Sequence, residues 1–123
     1  MPVTFVDSAS ASSGATGTSL TVTLPAHQAG DLLIAHFYSD QGVGVHSVSA
    51  AAGWVNVSDV LDASGRDRHS SVWRKIATSA SETNPQFDTT VAEERSVCLA
   101  IFRGVDATNP IGAVPAANTG QND

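Results

Sequence analysis

Four histidines are the residues of this sequence best suited to metal or acid–base chemistry. They are His27, His36, His46 and His69, separated by nine, ten and twenty-three residues. Compact zinc sites usually take at least two ligands from one short segment, roughly two to five residues apart. The spacing therefore does not favour zinc, although residues on separate strands can meet in space. We expect His36 to be a hydrogen-bonded core residue and His27 and His69 to lie in loops.

A cluster of oxygen-bearing side chains suggests a hard-cation site. Asp59, Asp62, Ser64 and Asp67 lie within nine residues around Gly65. Carboxylate and hydroxyl oxygens are the ligands that calcium prefers, but the ligand spacing of an EF-hand is not met. We interpret the segment as a polar turn with solvated carboxylates. The candidate calcium ligands are its three aspartates.

Other arrangements that support catalysis are missing from the sequence. No Gly-x-Ser-x-Gly nucleophile elbow occurs, and the consecutive Glu93 and Glu94 would diverge on a strand. Cys98 is the only cysteine and lies in the apolar run 97–102, which predicts a buried, inert thiol. We therefore predict a protein that is not an enzyme and has no cofactor. An enzymatic interpretation would require two histidines and an acid to share a pocket.

Trp54 is the candidate ligand-contact residue. Sugar-binding modules stack exposed aromatic rings on their ligands, and Trp54 follows Gly53 at the predicted start of a strand. The alternative is that Trp54 forms a wall of the hydrophobic core, as a tryptophan beside alternating valines usually does. A glycan is therefore an alternative partner.

Composition limits the remaining classes of function. A chain of 123 residues is one domain by length, with 41% hydrophobic residues and a net charge of -6. That charge opposes binding to nucleic acid or to an anionic membrane surface. The N-terminus lacks the basic and apolar regions of a signal peptide, so we expect synthesis in a cytoplasm.

The order of residues along the chain predicts an all-β fold, because short β-favouring runs are divided by turn residues about every ten positions. Segments 31–38 and 96–103 are apolar on both faces, which predicts central strands covered on both sides. Residues 8–17, nearly all Ser, Ala and Gly, are predicted to form a flexible loop. Further strands are predicted over residues 3–6, 18–24, 45–49, 53–61, 70–77 and 86–91.

Eight or nine strands with so little helix predict an antiparallel β-sandwich. This domain would comprise residues 1–111. Residues 112–123 have no apolar periodicity and are predicted to form an irregular, extended C-terminal arm.

Several strings in the sequence resemble a recurrent β-sandwich module. The most specific is Arg-Gly-Val-Asp-x-x-Asn-Pro-Ile at residues 103–111, and Ala-Gly-Asp-Leu-Leu at residues 29–33 is the next. With segments 53–55 and 71–77, they resemble the jelly-roll-like modules of tailed-phage virion proteins and of related bacterial surface proteins. The resemblance covers most of residues 3–111.

The resemblance implies a structural or attachment role, with no catalytic residues to transfer. It implies a virion protein made in the host cytoplasm, with a capsid decoration (cement) protein or another head or tail surface component as the leading hypothesis. Its partners would be other capsid or tail proteins and copies of itself. The alternative function is a glycan-binding adhesin or receptor-binding module that uses Trp54.

Such modules usually continue with more strands after the Asn-Pro-Ile segment. Here the sequence stops shortly afterwards. Two explanations stay open: the chain is a fragment, or a neighbouring subunit completes the sheet by donating a strand.

Overall fold

The computed structural model describes residues 2–14, 17–40, 44–62 and 68–114. This part of the chain is all-β, and none of its residues form a helix that could cross a membrane. The strands are β1 Thr4–Ser13, β2 Ser19–Thr21, β3 Leu32–Ser39, β4 His46–Ser49, β5 Val55–Asp62, β6 Arg68–Ile76, β7 Gln86–Thr89 and β8 Arg95–Arg103.

The strands form two antiparallel sheets, which confirms the predicted β-sandwich. The large sheet has the order β1-β8-β3-β6-β5, and the small sheet has the order β2-β7-β4. This is a jelly-roll order, since strands 1, 8, 3 and 6 share one sheet and strands 2, 7 and 4 share the other. The fifth strand departs from it: β5 pairs with β6 in the large sheet instead of extending the small sheet beside β4.

The core lies between the inner faces of the two sheets. Successive side chains on a strand point to opposite faces, so every second residue of β3 and β8 points toward the small sheet. Phe37 of β3 and Phe87 of β7 meet across the interface with ring centroids 5.6 Å apart. The buried cluster comprises Val22, Leu33, Ala35, Phe37, Phe87, Val97, Leu99 and Ile101.

The predicted loop over residues 8–17 is wrong for its first half. Residues 8–13 belong to β1, which pairs with β8 up to Ser13 opposite Arg95. Ala9 and Ala11 pack against the core. The small side chains alternate, and pairing with the long β8 supplies the order that local propensity does not.

The prediction that two central strands are covered on both sides is half right. Strands β3 and β8 are neighbours near the middle of the large sheet, but only their inner faces are covered by the small sheet. On the other face His36 and Cys98 form a directly opposed, exposed pair. The predictions of a buried Cys98 and a core His36 are therefore wrong, because an apolar run does not reveal whether a second layer of chain exists.

Candidate functional site

A set of polar side chains, most of them buried, lies between the sheets where β4 crosses β6. The period of two places each of them on an inner face, beside or in line with core residues. Serine, histidine and tryptophan have hydrogen-bonding groups that must be satisfied when they are buried. We call this set the polar cluster; it comprises Ser39 of β3, His46 of β4, Asp59 of β5, and His69, Ser71 and Trp73 of β6.

His46 lies at the centre of a hydrogen-bonded chain. The indole Nε1 of Trp73 donates to Ser71 Oγ over 2.9 Å. The Ser71 hydroxyl lies 2.7 Å from His46 Nδ1, and the other ring nitrogen, Nε2, lies 2.8 Å from Ser39 Oγ. Donor and acceptor roles agree along the chain when Ser71 donates to Nδ1 and Nε2–H donates to Ser39. In this assignment His46 is a neutral imidazole with its proton on Nε2.

His69 connects the chain to the surface. Its ring stacks on that of His46, with centroids 3.5 Å apart and planes inclined by 15°. His69 Nε2 donates to the carboxylate of Asp59, whose side chain is 44% exposed. The other nitrogen, Nδ1, is buried with no hydrogen-bond partner among the described residues. The polar cluster thus extends from the centre of the interface to its edge at β5.

The environment of His46 disfavours its charged form. Burial lowers the pKa of His46 from 6.5 to about 4, and the neighbouring His69 lowers it further in the same direction. Asp59 opposes this shift, and His36 adds to it. The histidine is therefore neutral near pH 7.

The polar cluster is closed to solvent except at Asp59. His46 and His69 are 4% and 3% exposed, and the hydroxyls of Ser39 and Ser71 belong to residues that are 0% exposed. A substrate cannot reach these groups in this conformation. What the arrangement does is bind β4 of the small sheet to β3 and β6 of the large sheet through directed hydrogen bonds.

The second candidate site is the face of the large sheet that points away from the small sheet, which we call the outer face. Cross-strand partners share a face, so the register defines its residues. Four rows make up most of the outer face: Phe5, Phe102, Leu32 and Ile76; Ser8, Ala100, Ile34, Arg74 and Val55; Ser10, Cys98, His36, Val72 and Ser58; and Ser12, Ser96, Tyr38, Ser70 and Val60. Arg74 is the only charged side chain in these four rows, and the pair Asp62 and Arg68 follows them at the end of β5 and β6.

A shallow depression of about 300 Å³ lies in the middle of the outer face. Its walls are apolar apart from the His36 ring, which is hydrogen-bonded to Ser70 Oγ. Its residues on the outer face are Ile34, His36, Val72, Cys98 and Ala100. The depression is open rather than enclosed, which suits contact with another surface better than retention of a small molecule.

Comparisons with protein-family models, curated proteins and solved structures find no match. The residues themselves are therefore the basis for assigning a function. Two features distinguish this sandwich: the polar cluster inside it and the outer face, with its apolar central depression, on its surface.

The structure brings together two of the four histidines. His46 and His69 meet, and Asp59 joins them, so two histidines and an acid do share one place. That place is a filled, buried cluster instead of an open pocket. The prediction that His69 lies in a loop is wrong, because it lies in β6, two residues before the inward-facing Ser71. Residues two apart on a strand lie on the same face, and this spacing of His69 and Ser71 was the sequence signal for the polar cluster.

The other two histidines lie elsewhere. His27 is in the loop before β3, where its Nδ1 donates to the carbonyl oxygen of Pro25 over 2.7 Å. His36 is on the outer face. Only the loop position of His27 was predicted correctly.

The candidate calcium ligands do not meet within the described residues. Asp59 points toward His69, whereas Asp62 lies opposite Arg68 on the other face of β5. Asp67 lies outside the described residues, as does the turn around Gly65. In the described part of the chain no group of three or more His, Cys, Asp or Glu residues is placed to hold a metal ion. Calcium binding by the full segment stays a prediction.

Trp54 packs against the hydrophobic core. Its ring meets that of Phe87 edge-on, with centroids 5.8 Å apart. The half-buried indole therefore forms part of a core wall, which was the alternative to ligand contact. Glycan binding through Trp54 stays a prediction that a glycan array with a Trp54→Ala variant would test.

Proposed function

We propose that this protein is a structural component of a tailed-phage virion, with capsid decoration (cement) as its leading role and another head or tail surface position as the alternative. It would act through protein–protein contacts, and the outer face carries this proposal. A folded chain normally places polar residues on a solvent-facing sheet surface. The four rows of this face instead combine apolar side chains, among them Phe5, Ile34, Val72 and Phe102, with small serines and a single charge.

The small sheet shows the contrast. Its own solvent-facing side carries polar residues, including Ser49 hydrogen-bonded to Asp88, and Gln86 bonded to the same carboxylate over 2.8 Å. The solvent-facing side of the small sheet is thus polar, whereas the outer face has an apolar depression at its centre. Contiguous apolar surface of this kind marks interaction sites, because covering it stabilises a complex by roughly 25 cal/mol per Å².

The interior supports a mechanical role. The polar cluster joins the two sheets by directed hydrogen bonds at one end, and the apolar core joins them elsewhere. The side chains of the polar cluster are hydrogen-bonded to one another, and only Asp59 is largely exposed to solvent. A sandwich whose sheets are joined in this way can transmit mechanical load between neighbouring virion proteins without a conformational change.

The net charge of the chain and the sequence resemblance together support the choice of partners. The net charge of -6 disfavours a phosphate backbone and leaves protein surfaces as the natural partner of an apolar face. The resemblance supports capsid or tail proteins and copies of this chain as those surfaces, in a virion assembled in the host cytoplasm.

Thermal melting of virions tests the proposal. Virions that carry this protein should release their genome at a higher temperature than virions stripped of it, and adding back the wild-type chain should restore the difference. Ala100→Glu places a charge on the outer face and should fail to restore it. Thr21→Glu makes the same change on the exposed side of the small sheet and should restore it. Equal stability with and without the wild-type chain would contradict a cementing role.

A further inference from the structure

We infer that the outer face is covered by a second copy of this chain, with the two large sheets packed face to face about a two-fold axis. The inference names the partner of the proposed contact surface and therefore rests on the proposed function. Two observations carry it, the charge distribution and the area of the face, and Cys98 provides a probe of the contact.

The charge distribution favours a copy of the same chain. The protein has twelve acidic and six basic residues, so most pairs of approaching surfaces on two copies would repel each other. The four rows of the outer face contain no acidic residue and one basic residue, Arg74. Two copies can therefore approach through this face without the acid–acid repulsion that opposes other orientations.

Charged groups lie at one end of the face instead of at its centre. Acidic groups lie just beyond the fourth row, where Asp40 accepts a hydrogen bond from Tyr38 over 3.3 Å and Glu94 lies near the same ring. Asp62 and Arg68 oppose each other at that end of β5 and β6. An apolar centre with charges at its edge is the usual anatomy of a protein–protein interface.

The area of the face suits a reversible dimer. Five strands spaced about 4.8 Å apart and four rows about 6.7 Å apart give a footprint of roughly 600 Å² on each copy. Standard interfaces cover about 800 Å² per partner, and transient ones cover less. Small residues such as Ser8, Ser10 and Ala100 keep the β1 side flat, which permits the close approach of sheet to sheet.

Cys98 lies near the middle of the face and reports on the contact. It is exposed, and it is paired with His36 of the central strand β3. In a two-fold interface, residues near the axis lie close to their own counterparts. Packed sheets are about 10 Å apart, so the two Cys98 thiols should lie within reach of a short bis-maleimide.

Sedimentation equilibrium of the purified chain tests the inference. The wild type should show a mass that rises with concentration from 12.6 kDa toward twice that value. Ala100→Glu should remain monomeric, and Thr21→Glu should dimerise as the wild type does. A wild type that stays monomeric up to its solubility limit would overturn the inference.

Cross-linking of the wild type provides a test that leaves the outer face unchanged. A bis-maleimide of about 10 Å span should convert the wild type to covalent dimers. Cys98→Ser should give none. Cys98→Ser combined with Thr21→Cys moves the thiol to the other side of the sandwich and should cross-link only at the rate of chance collisions. Equal yields from the two cysteine positions would overturn the inference.

The two proposals fail in different ways. A monomeric chain that still stabilises virions through the outer face would assign that face to a shell protein and overturn only the self-association. A dimer that leaves virion stability unchanged would overturn the cementing role and retain the self-association.

Discussion

Arg103, at the end of β8, donates two hydrogen bonds to the carboxylate of Asp31, just before β3. Its Nε lies 2.8 Å from Oδ1 and its Nη2 lies 2.7 Å from Oδ2. Asp31 is 1% exposed and also accepts a hydrogen bond from the backbone N–H of Gln28. The two most specific strings of the sequence, Ala-Gly-Asp-Leu-Leu and Arg-Gly-Val-Asp-x-x-Asn-Pro-Ile, are thus joined by one bidentate ion pair that closes the end of two adjacent strands.

Replacing Arg103 with Met should destabilise the fold, because it leaves the buried Asp31 carboxylate without its cation. Arg103→Met combined with Asp31→Asn should recover part of that loss, since no buried charge then remains. Urea denaturation of both variants and of the wild type measures this. A double variant less stable than Arg103→Met would contradict the explanation.

The same pair predicts a pH effect at low pH. The hydrogen bond from Arg103 is the largest influence on Asp31 and lowers its pKa below the usual 3.8, against the opposing effect of burial. A lowered folded pKa stabilises the protein above the unfolded value, and this contribution is lost as the pH falls through the folded value. In Asp31→Asn the contribution should be absent, which acid titration of stability would show.

His46 predicts a second loss of stability on acidification, in a higher pH range than the loss that Asp31 causes. The unfolded histidine binds a proton near pH 6.5, whereas the folded one binds it near pH 4, so unfolding takes up a proton between these values. The free energy of unfolding should fall as the pH falls through this window, by about 3 kcal/mol in total. In His46→Gln that slope should be reduced. In His36→Gln, on the outer face, the slope should persist.

The hydrogen-bonded chain predicts unequal effects for its two serines. Ser71→Ala leaves both His46 Nδ1 and Trp73 Nε1 without a partner, for a loss of about 3 kcal/mol in unfolding free energy. Ser39→Ala leaves only His46 Nε2 without a partner, so it should cost about half as much unfolding free energy. Ser47→Ala, at an exposed position of β4, is the control, with an expected change below about 0.5 kcal/mol. Equal losses for Ser71 and Ser39 would contradict the assigned chain.

Alanine substitutions at two glycines distinguish the cost of backbone strain from the cost of steric crowding. Gly30 and Gly104 have φ of +91° and +83°, which side chains other than glycine rarely adopt. A Cβ on Gly30 meets nothing within 4 Å, whereas one on Gly104 would lie 2.7 Å from the carbonyl oxygen of Pro2. Gly30→Ala should cost about 1 kcal/mol and Gly104→Ala about 2 kcal/mol or more. Thermal melts, with Gly112→Ala as a neutral reference, provide the measurement.

Most strands could be predicted from sequence, because alternation and turn residues are local signals. Strand β1 could not be predicted fully, since its Ser and Ala residues gain their strand conformation from pairing with β8. The polar cluster was missed because His46 and His69 are twenty-three residues apart in sequence and meet only where β4 crosses β6.

The sequence by itself determined that this chain forms short, antiparallel strands in a sandwich, because side-chain alternation fixes which residues share a face. Only the tertiary structure decided which faces are covered. Segments 31–38 and 96–103 are apolar on both sides, yet a single small sheet covers one side and leaves Cys98 exposed on the other. Burial depends on whether a second layer of chain packs there, and periodicity within one strand carries no information about that layer.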